Sequence, residues 1–303
     1  MRIAVYICLL FTLVAVEACN SETTGASSEY VIEGWIENEA YPIVKLTRSI
    51  PIKEEYQSLD SLEQYVARWE RITICDGEKT VTLTGKMDSR YMPPYIYTTT
   101  DIMGQAGRPY QLTLHLAEEG AQDIVATTTI PEAAVIDSFH ITPVGSDNTD
   151  DPDTPYQLYA HVSIPKTPVT YYKIFTQTNA ESQDFLPAYF GLIRSDMIPD
   201  NGEIVVNRGV TNLEKHFSPY FHIGDTAVVR FARIDSAAYE YWRIYEDIVM
   251  LASNPLFPTT TSLPRSISGA YGFWQGMGSN YYMVPIVSRK KEPLKWSSQN
   301  IKQ

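Results

Sequence analysis

The sequence from Tyr30 onward consists mainly of short apolar runs that alternate with polar residues, which is the two-residue period of a β-strand. In Leu112–Leu116, for example, Thr113 and His115 separate three leucines, so one face of the segment is apolar. The pattern therefore predicts a mainly β body. The predicted strands are Tyr30–Glu37, Ile43–Ser49, Arg71–Asp76, Thr80–Thr84, Pro109–Leu116, Ile124–Ile130, Tyr156–Ile164, Thr170–Thr178, Glu203–Val206 and Ala227–Ile234.

The first six strands predict a β-sandwich domain of immunoglobulin-like or transthyretin-like type over residues 29–133, closed by Ile130-Pro131. A charged stretch, Lys53–Arg68, interrupts these strands and predicts a long loop or a short helix at the rim of the sandwich. Because insertions on a rigid scaffold often carry contacts, this stretch is a candidate interaction loop.

The remaining strands predict a second β-rich domain over residues 134–287. This domain contains a helical period, because apolar and aromatic residues recur at spacings of three and four over about 236–252, with Asp235 or Ser236 as the N-cap. We expect this amphipathic helix to lie against a sheet. The last segment, 288–303, is rich in lysine and arginine and predicts a basic C-terminal tail.

The N-terminus predicts the compartment of the protein. A positive start and the apolar run Ile3–Val16 have the form of a secretory signal, and the run is shorter than the ~20 residues of a membrane span. The cysteine that follows, Cys19, resembles the acylated cysteine of the bacterial lipobox, which carries palmitate or a similar chain. We therefore predict a signal peptide over residues 1–18 and a lipidated, flexible tether over residues 19–28. Ordinary signal cleavage near Ala18 is the alternative.

The composition excludes one class of partner and one kind of cross-link. The chain of 303 residues has a formal net charge of -12, which repels phosphate backbones, so nucleic acid is not a predicted partner. The 21 tyrosines suit half-buried sheet faces and contact surfaces. Of three cysteines, Cys8 leaves with the predicted signal and Cys19 carries the predicted lipid. Cys75 is left without a disulfide partner, and we predict a buried, inert side chain.

The sequence contains no H-E-x-x-H, G-x-S-x-G, P-loop or C-x-x-C motif. His216 and His222 are close in sequence, but their spacing does not fit one helical face. The acidic segment Asp147–Asp153 fails the EF-hand pattern, so a solvated loop is favoured over an irregular calcium site. The glycine- and aromatic-rich segment Gly269–Gly278 lacks the dinucleotide-binding order and predicts close backbone packing beside large rings. We predict no catalytic residue, metal ligand or cofactor, and interpret the protein as not an enzyme.

Two groups of segments together carry a family resemblance. In the N-terminal half they are Cys19, Tyr30–Ile36, Gly107–Leu114 and Ala126–Pro131. In the C-terminal half they are Thr170–Ile174, Ile234-Asp235-Ser236 with Tyr239, Asn254–Phe257 and Ile267–Phe273. In combination these segments resemble an outer-membrane lipoprotein family of the Bacteroidota that is known as a domain of unknown function. The sequence departs from the family pattern at Leu256 and at Ala270, which stands where the family has a second glycine.

The resemblance implies a location at the outer membrane, genes beside those of TonB-dependent receptors, and an accessory role in nutrient capture. We therefore expect a non-enzymatic lipoprotein that is anchored in the outer-membrane bilayer through acylated Cys19. The sequence does not decide between the cell-surface face and the periplasmic face of this membrane. We expect its tyrosine-rich loops and the Lys53–Arg68 stretch to bind the receptor barrel, its cargo of peptide, glycan or chelated metal, or both. The alternative is a surface hydrolase or metal-binding protein whose site assembles from dispersed Asp, Glu and His.

Overall fold

A computed structural model of the chain describes residues 29–49, 63–117, 120–145, 154–179, 185–209, 217–252, 266–287 and 296–298. Within these ranges it contains one α-helix, α1 (Ser236–Ala252), and strands β1 to β16. The prediction of a mainly β protein with a single amphipathic helix is confirmed.

Nine strands form one large sheet. From one edge to the other the order is β12 (Leu186–Arg194), β11 (Tyr171–Thr178), β14 (Thr226–Ile234), β15 (Tyr271–Pro285), β1 (Tyr30–Glu37), β2 (Ile43–Arg48), β6 (Tyr95–Thr98) and β5 (Thr84–Met87), and β16 (Ser297–Ser298) pairs with β15. The described part of the basic tail therefore contributes a short strand to this sheet.

Two smaller sheets cover one face of the large sheet. The four-stranded sheet consists of β4 (Thr80–Thr82), β3 (Arg71–Cys75), β7 (Pro109–His115) and β8 (Ile124–Thr129), and the three-stranded sheet of β13 (Glu203–Val206), β10 (Tyr156–His161) and β9 (Ser138–Pro143). Ile36, Ile74 and Leu112 belong to the apolar core of the first sandwich, and Leu158 and Val229 to that of the second. The alternating apolar side chains of these strands supply both cores.

Strand β15 connects the two sandwiches. Its first part runs parallel to β1, from Tyr271 opposite Val31 to Met277 opposite Glu37. Its second part, from Gly278 onward, runs antiparallel to β14. A strand from the C-terminal half of the chain thus completes the sheet that begins with the first strand of the N-terminal half.

The glycines of β15 allow neighbouring backbone to approach it closely, as the Gly269–Gly278 segment predicts. A Cβ atom on Gly272 would lie 2.0 Å from the carbonyl oxygen of Ile32, and one on Gly278 would lie 2.1 Å from that of Pro131. Gly272 also has a φ of 97°, a conformation that a residue with a Cβ atom rarely adopts. A larger residue at either position would require the adjoining backbone to move.

Helix α1 packs against the opposite face of the large sheet. Asp235 is its N-cap, because its carboxylate accepts a 2.7 Å hydrogen bond from the backbone N–H of Ala238. Trp242 lies on the buried face of the helix, where its ring contacts Phe175 edge-on and its indole N–H donates to Gln275 at 3.1 Å. The helix is therefore positioned by packing and by a polar contact to the centre of β15.

Two ion pairs with buried cations lie on this helix-covered face, and in the second of them the carboxylate is buried as well. Lys173 of β11 is 0% exposed, and its ammonium donates to the carboxylate of Glu246 on α1. Burial lowers the pKa of Lys173, and the attraction of Glu246 only partly opposes this effect. Arg230 of β14 donates to Glu37 of β1 at 2.9 Å, and the hydroxyl of Tyr281 donates to the same carboxylate at 2.8 Å. Burial raises the pKa of Tyr281 well above its ordinary value.

Every predicted strand is present, with ends that differ by three residues or fewer. The sequence pattern does not predict β6, β9, β12, β15 or β16, and it reaches β5 only at Thr84. Two of the missed strands contain residues that are rare in strand interiors, since β12 includes Pro187 and Gly191 and β15 includes three glycines. Their tertiary pairing overrides the local sequence preference.

Candidate functional site

An exposed aromatic cluster lies at the edge of the large sheet, on β12. The ring centroids of Tyr189 and Phe190 are 4.4 Å apart, and Phe217, in the segment before β14, lies 5.4 Å from Tyr189. Phe190 is 55% exposed, and the other two rings are half-buried. We call these three residues the aromatic platform.

The backbone conformation of Phe190 turns its ring toward solvent. Its φ of 52° is left-handed, which costs a residue with a Cβ atom about 1–2 kcal/mol. The pairing of β11 with β12 shifts register between Lys173 and Phe175, which marks an irregularity of the bulge type. The adjacent Gly191 has no room for a side chain, because a Cβ atom there would lie 2.9 Å from the carbonyl oxygen of Ile174. The strained position is therefore held by the strand pairing on either side of it.

A buried amide supports the platform from below. The side-chain N–H of Asn207 donates to the carbonyl oxygen of Tyr189 at 2.7 Å, and its side-chain oxygen accepts from Gln157 at 3.0 Å. The backbone carbonyl of Asn207 accepts from the hydroxyl of Thr176 at 3.1 Å. These bonds join the platform to β10 and β11, so its backbone is fixed by buried polar contacts.

One guanidinium lies beside the platform. Arg208 donates weak hydrogen bonds to the hydroxyl of Thr178 at 3.4 Å and to the carbonyl oxygen of Ser218 at 3.5 Å. Among the residues that the structure describes, no carboxylate lies within ion-pair distance of Arg208. A guanidinium held only by long contacts can bind an anionic group on a ligand.

The site combines apolar ring faces with one positive charge. Aromatic rings bind the apolar faces of sugars and the side chains of peptides at low entropic cost. The three rings and the guanidinium together offer a surface on which a ligand could be held by stacking and by charge. Its chemistry therefore suits recognition of a ligand that presents an apolar face and an acidic group.

Several residues singled out in the sequence lie outside the described ranges. Cys19, residues 53–62, Asp147–Asp153 and His216 are among them. Of the two histidines that are close in sequence, His222 is described, and its backbone N–H donates to the Asp225 carboxylate at 2.8 Å. Over the described ranges, no group of three or more His, Cys, Asp or Glu residues is arranged to hold a metal ion.

The predicted burial of Cys75 is only partly correct. Its side chain is half-buried at the end of β3, where the sulfur accepts a 3.4 Å hydrogen bond from the N–H of Gly77. The strand ends at this residue, so the thiol lies at the margin of the core.

Residues 17–269 match a family model described as a domain of unknown function, DUF4249. This match covers well over half of the 303 residues. The chain belongs to the DUF4249 family. The matched region includes the whole aromatic platform and ends just before β15 begins. No protein of curated function matches this DUF4249 chain. In the described parts of the protein, no helix has the length and apolar character that a bilayer span requires.

The sequence pattern does not reveal the aromatic platform. Tyr189-Phe190-Gly191 shows no strand alternation, and the neighbouring Pro187 masks β12 further. A signal was nevertheless present, because a proline and a glycine within one apolar run are typical of an edge strand with a bulge.

Proposed function

We propose that this DUF4249 protein is a non-enzymatic lipoprotein of the outer membrane in a Bacteroidota cell, anchored through acylated Cys19. It serves as an accessory of a TonB-dependent nutrient-uptake system and binds the receptor barrel, its cargo or both. The observation that carries the proposal is the exposed aromatic platform on edge strand β12. The cargo is a peptide, a glycan or a chelated metal complex.

Three physical properties of the platform support a binding role. The Phe190 ring is 55% exposed although burial of aromatic area is favourable, so covering it with a partner would be favourable. Its backbone is fixed by the Asn207 hydrogen bonds, so little ordering is required when a partner binds. Arg208 adds a charge that favours partners with acidic groups.

Co-purification from detergent-solubilised outer membranes tests the proposal. The full-length protein is expected to carry a TonB-dependent receptor with it, identified by mass spectrometry. The variant Phe190→Gly removes the ring and relieves the left-handed strain, so its stability should stay near that of the wild type while recovery of the receptor falls. Met103→Ala, which also truncates an exposed apolar side chain, is the matched control and should leave recovery unchanged.

Two results would contradict the proposal. One is recovery of the protein without any barrel partner, together with turnover of a supplied glycan or peptide, which would favour a surface hydrolase. The other concerns the anchor: Cys19→Ser should release the protein from membranes, and continued retention of this variant would exclude lipidation as the anchor.

A further inference from the structure

A second aromatic residue is exposed in an unusual conformation, far from the platform. Trp69, in the turn before β3, is 90% exposed and has a φ of 71°. A left-handed backbone costs a bulky residue about 1–2 kcal/mol, and an exposed indole adds the unfavourable hydration of a large apolar surface. Trp69 therefore combines two unfavourable features in the free protein.

The residues on both sides hold Trp69 in this position. On one side, the guanidinium of Arg68 lies over the ring of Tyr95, 5.6 Å from its centroid. On the other side, the backbone N–H of Glu70 donates to the hydroxyl of Tyr97 at 3.0 Å, and the Glu70 carboxylate accepts from the hydroxyl of Tyr30 at 2.8 Å. Because its flanks are fixed, the turn presents the indole outward as a rigid feature.

Trp69 lies at the end of the molecule where the predicted tether joins the fold. Tyr30, which bonds to Glu70, is the first residue of β1, and the preceding Glu29 exchanges hydrogen bonds with Ser49 at the end of β2. Only ten steps along the chain lead from Cys19 to Glu29. Even fully extended, they span at most ~36 Å, so lipidation of Cys19 would hold this end of the fold near the membrane surface.

Two further apolar side chains project from the same end. Met87 pairs with Tyr95, the ring that Arg68 covers, and is 60% exposed. Met92 lies in the loop between β5 and β6, where its carbonyl oxygen accepts from Lys45 of β2, and its side chain is also exposed. We call Trp69, Met87 and Met92 the tether end.

The charges beside Trp69 do not oppose contact with an anionic bilayer. Arg68 pairs with Glu63, and Arg48 with Glu70, so these charges balance although the whole chain carries -12. Arg71, the first residue of β3, is exposed and has no carboxylate within ion-pair distance among the described residues. Tryptophan and arginine both favour the headgroup region, where an apolar body meets a polar layer.

We propose that the tether end is a membrane-contact surface, with Trp69 inserted into the headgroup region of the leaflet that holds the acyl chains of Cys19. This inference rests on the lipid anchor of the proposed function. It adds a second contact that fixes the orientation of the protein, which an acyl chain alone does not fix. The partner is the lipid surface itself.

This orientation places the aromatic platform away from the bilayer. The positions are compared along the strand direction of the large sheet. Tyr30 lies one residue before the level at which Val31 pairs with Tyr271, the first residue of β15. Phe190 lies further along, at the level of Ser279 to Tyr281 of β15. About ten residues of strand at ~3.3 Å each separate these levels by roughly 33 Å. The two exposed aromatic sites therefore face different surroundings.

Quenching by brominated lipids tests the proposal. The full-length lipidated protein is reconstituted into vesicles of phosphatidylethanolamine and phosphatidylglycerol, with and without bromine on the upper acyl chain. The chain has five tryptophans, so the difference between wild type and Trp69→Phe isolates the emission of Trp69. We expect bromine to reduce this emission and the vesicles to shift it to shorter wavelength.

A reporter at the platform is the matched control. Phe190→Trp in the Trp69→Phe background places an exposed indole on β12, and its emission should not respond to brominated lipid. Flotation of the vesicles in high salt reports separately whether the protein is anchored.

The outcomes separate this inference from the proposed anchor. Loss of Trp69 emission with an unquenched reporter at position 190 supports the membrane contact. A protein that floats with the vesicles but keeps its Trp69 emission overturns the membrane contact and leaves the anchor intact. Equal quenching at both positions also overturns it, because the protein then has no fixed orientation. A protein that does not float overturns both.

Discussion

Replacing Glu246 by glutamine should destabilise the protein in a way that depends on pH. Lys173 is completely buried beneath α1, and Glu246 supplies the carboxylate that accepts from its ammonium. Removing one partner of a buried ion pair leaves an uncompensated charge and costs about 3–5 kcal/mol. We therefore expect Glu246→Gln to lower the free energy of unfolding by about 3 kcal/mol at pH 7.

Deprotonation of Lys173 limits this cost. The ordinary pKa of lysine is 10.5, and burial already lowers the pKa of Lys173 in the folded protein. Removal of Glu246 removes the two effects that oppose this lowering, namely its charge and its hydrogen bond. Since one pKa unit corresponds to 1.36 kcal/mol, holding Lys173 neutral at pH 7 costs at most about 5 kcal/mol. The loss in the variant cannot exceed that value by this mechanism.

The sign of the pH dependence follows from the lowered pKa. Between the folded-state pKa and 10.5 the unfolded chain binds more protons than the folded one, so stability rises with pH. In Glu246→Gln this window extends to lower pH, and the deficit relative to wild type should shrink by up to about 1.4 kcal/mol per pH unit as the pH rises.

Urea unfolding at several pH values between 6 and 9, followed by tryptophan emission, measures these free energies. Glu240→Gln is the control, because Glu240 pairs with Arg243 on the exposed side of the same helix and its loss should cost less than about 1 kcal/mol. Lys173→Met in the Glu246→Gln background should recover most of the stability. A pH-independent loss, or no recovery in the double variant, would refute the reasoning.

Three further substitutions have defined expectations. Gly272→Ala should destabilise the protein far more than Gly77→Ala, as measured by thermal unfolding. Both residues have a positive φ, but only at Gly272 does the added carbon meet the carbonyl oxygen of Ile32. Gly77→Ala should cost about 1 kcal/mol. Tyr281→Phe removes a hydrogen bond to a buried carboxylate and should lower the unfolding free energy by about 2 kcal/mol, measured with urea. Burial raises the pKa of Tyr97 to about 12. The contribution of Tyr97 to stability is therefore retained below pH 10 and lost as the pH rises from 10 through 12. Tyr97→Phe should flatten this loss, measured as the folded fraction in an alkaline titration.

Local sequence patterns predict the fold where they agree with tertiary packing. The alternation in β7 and the helical period of α1 each match the face that is buried, so both elements and the Asp235 cap follow from the sequence. Strand β15 could not be predicted in this way. Its glycines lie where backbone that is distant in sequence approaches so closely that a side chain would not fit. That contact exists only in the folded molecule.

The candidate site was less predictable than the fold. The sequence suggested a contact role for tyrosine-rich loops and for Lys53–Arg68, yet Trp69, the most exposed large apolar residue among those described, lies just beyond that stretch. The exposure of Phe190 depends on the pairing irregularity of β12, which no local pattern specifies. Left-handed bulky residues are determined by their neighbours in space, so a sequence pattern alone does not reveal them.

The pairing of β15 with β1 also determines the order in which the protein can fold. The bonded side chains of Tyr281 and Glu37 are 244 positions apart in the chain. The N-terminal sandwich therefore cannot complete its sheet during synthesis until β15 has emerged. Contacts between residues that are so far apart in sequence form slowly, because the entropic cost of closing a long loop must be overcome first. Until β15 arrives, the edge of β1 is open to pairing with other chains, which makes the incomplete fold prone to aggregation.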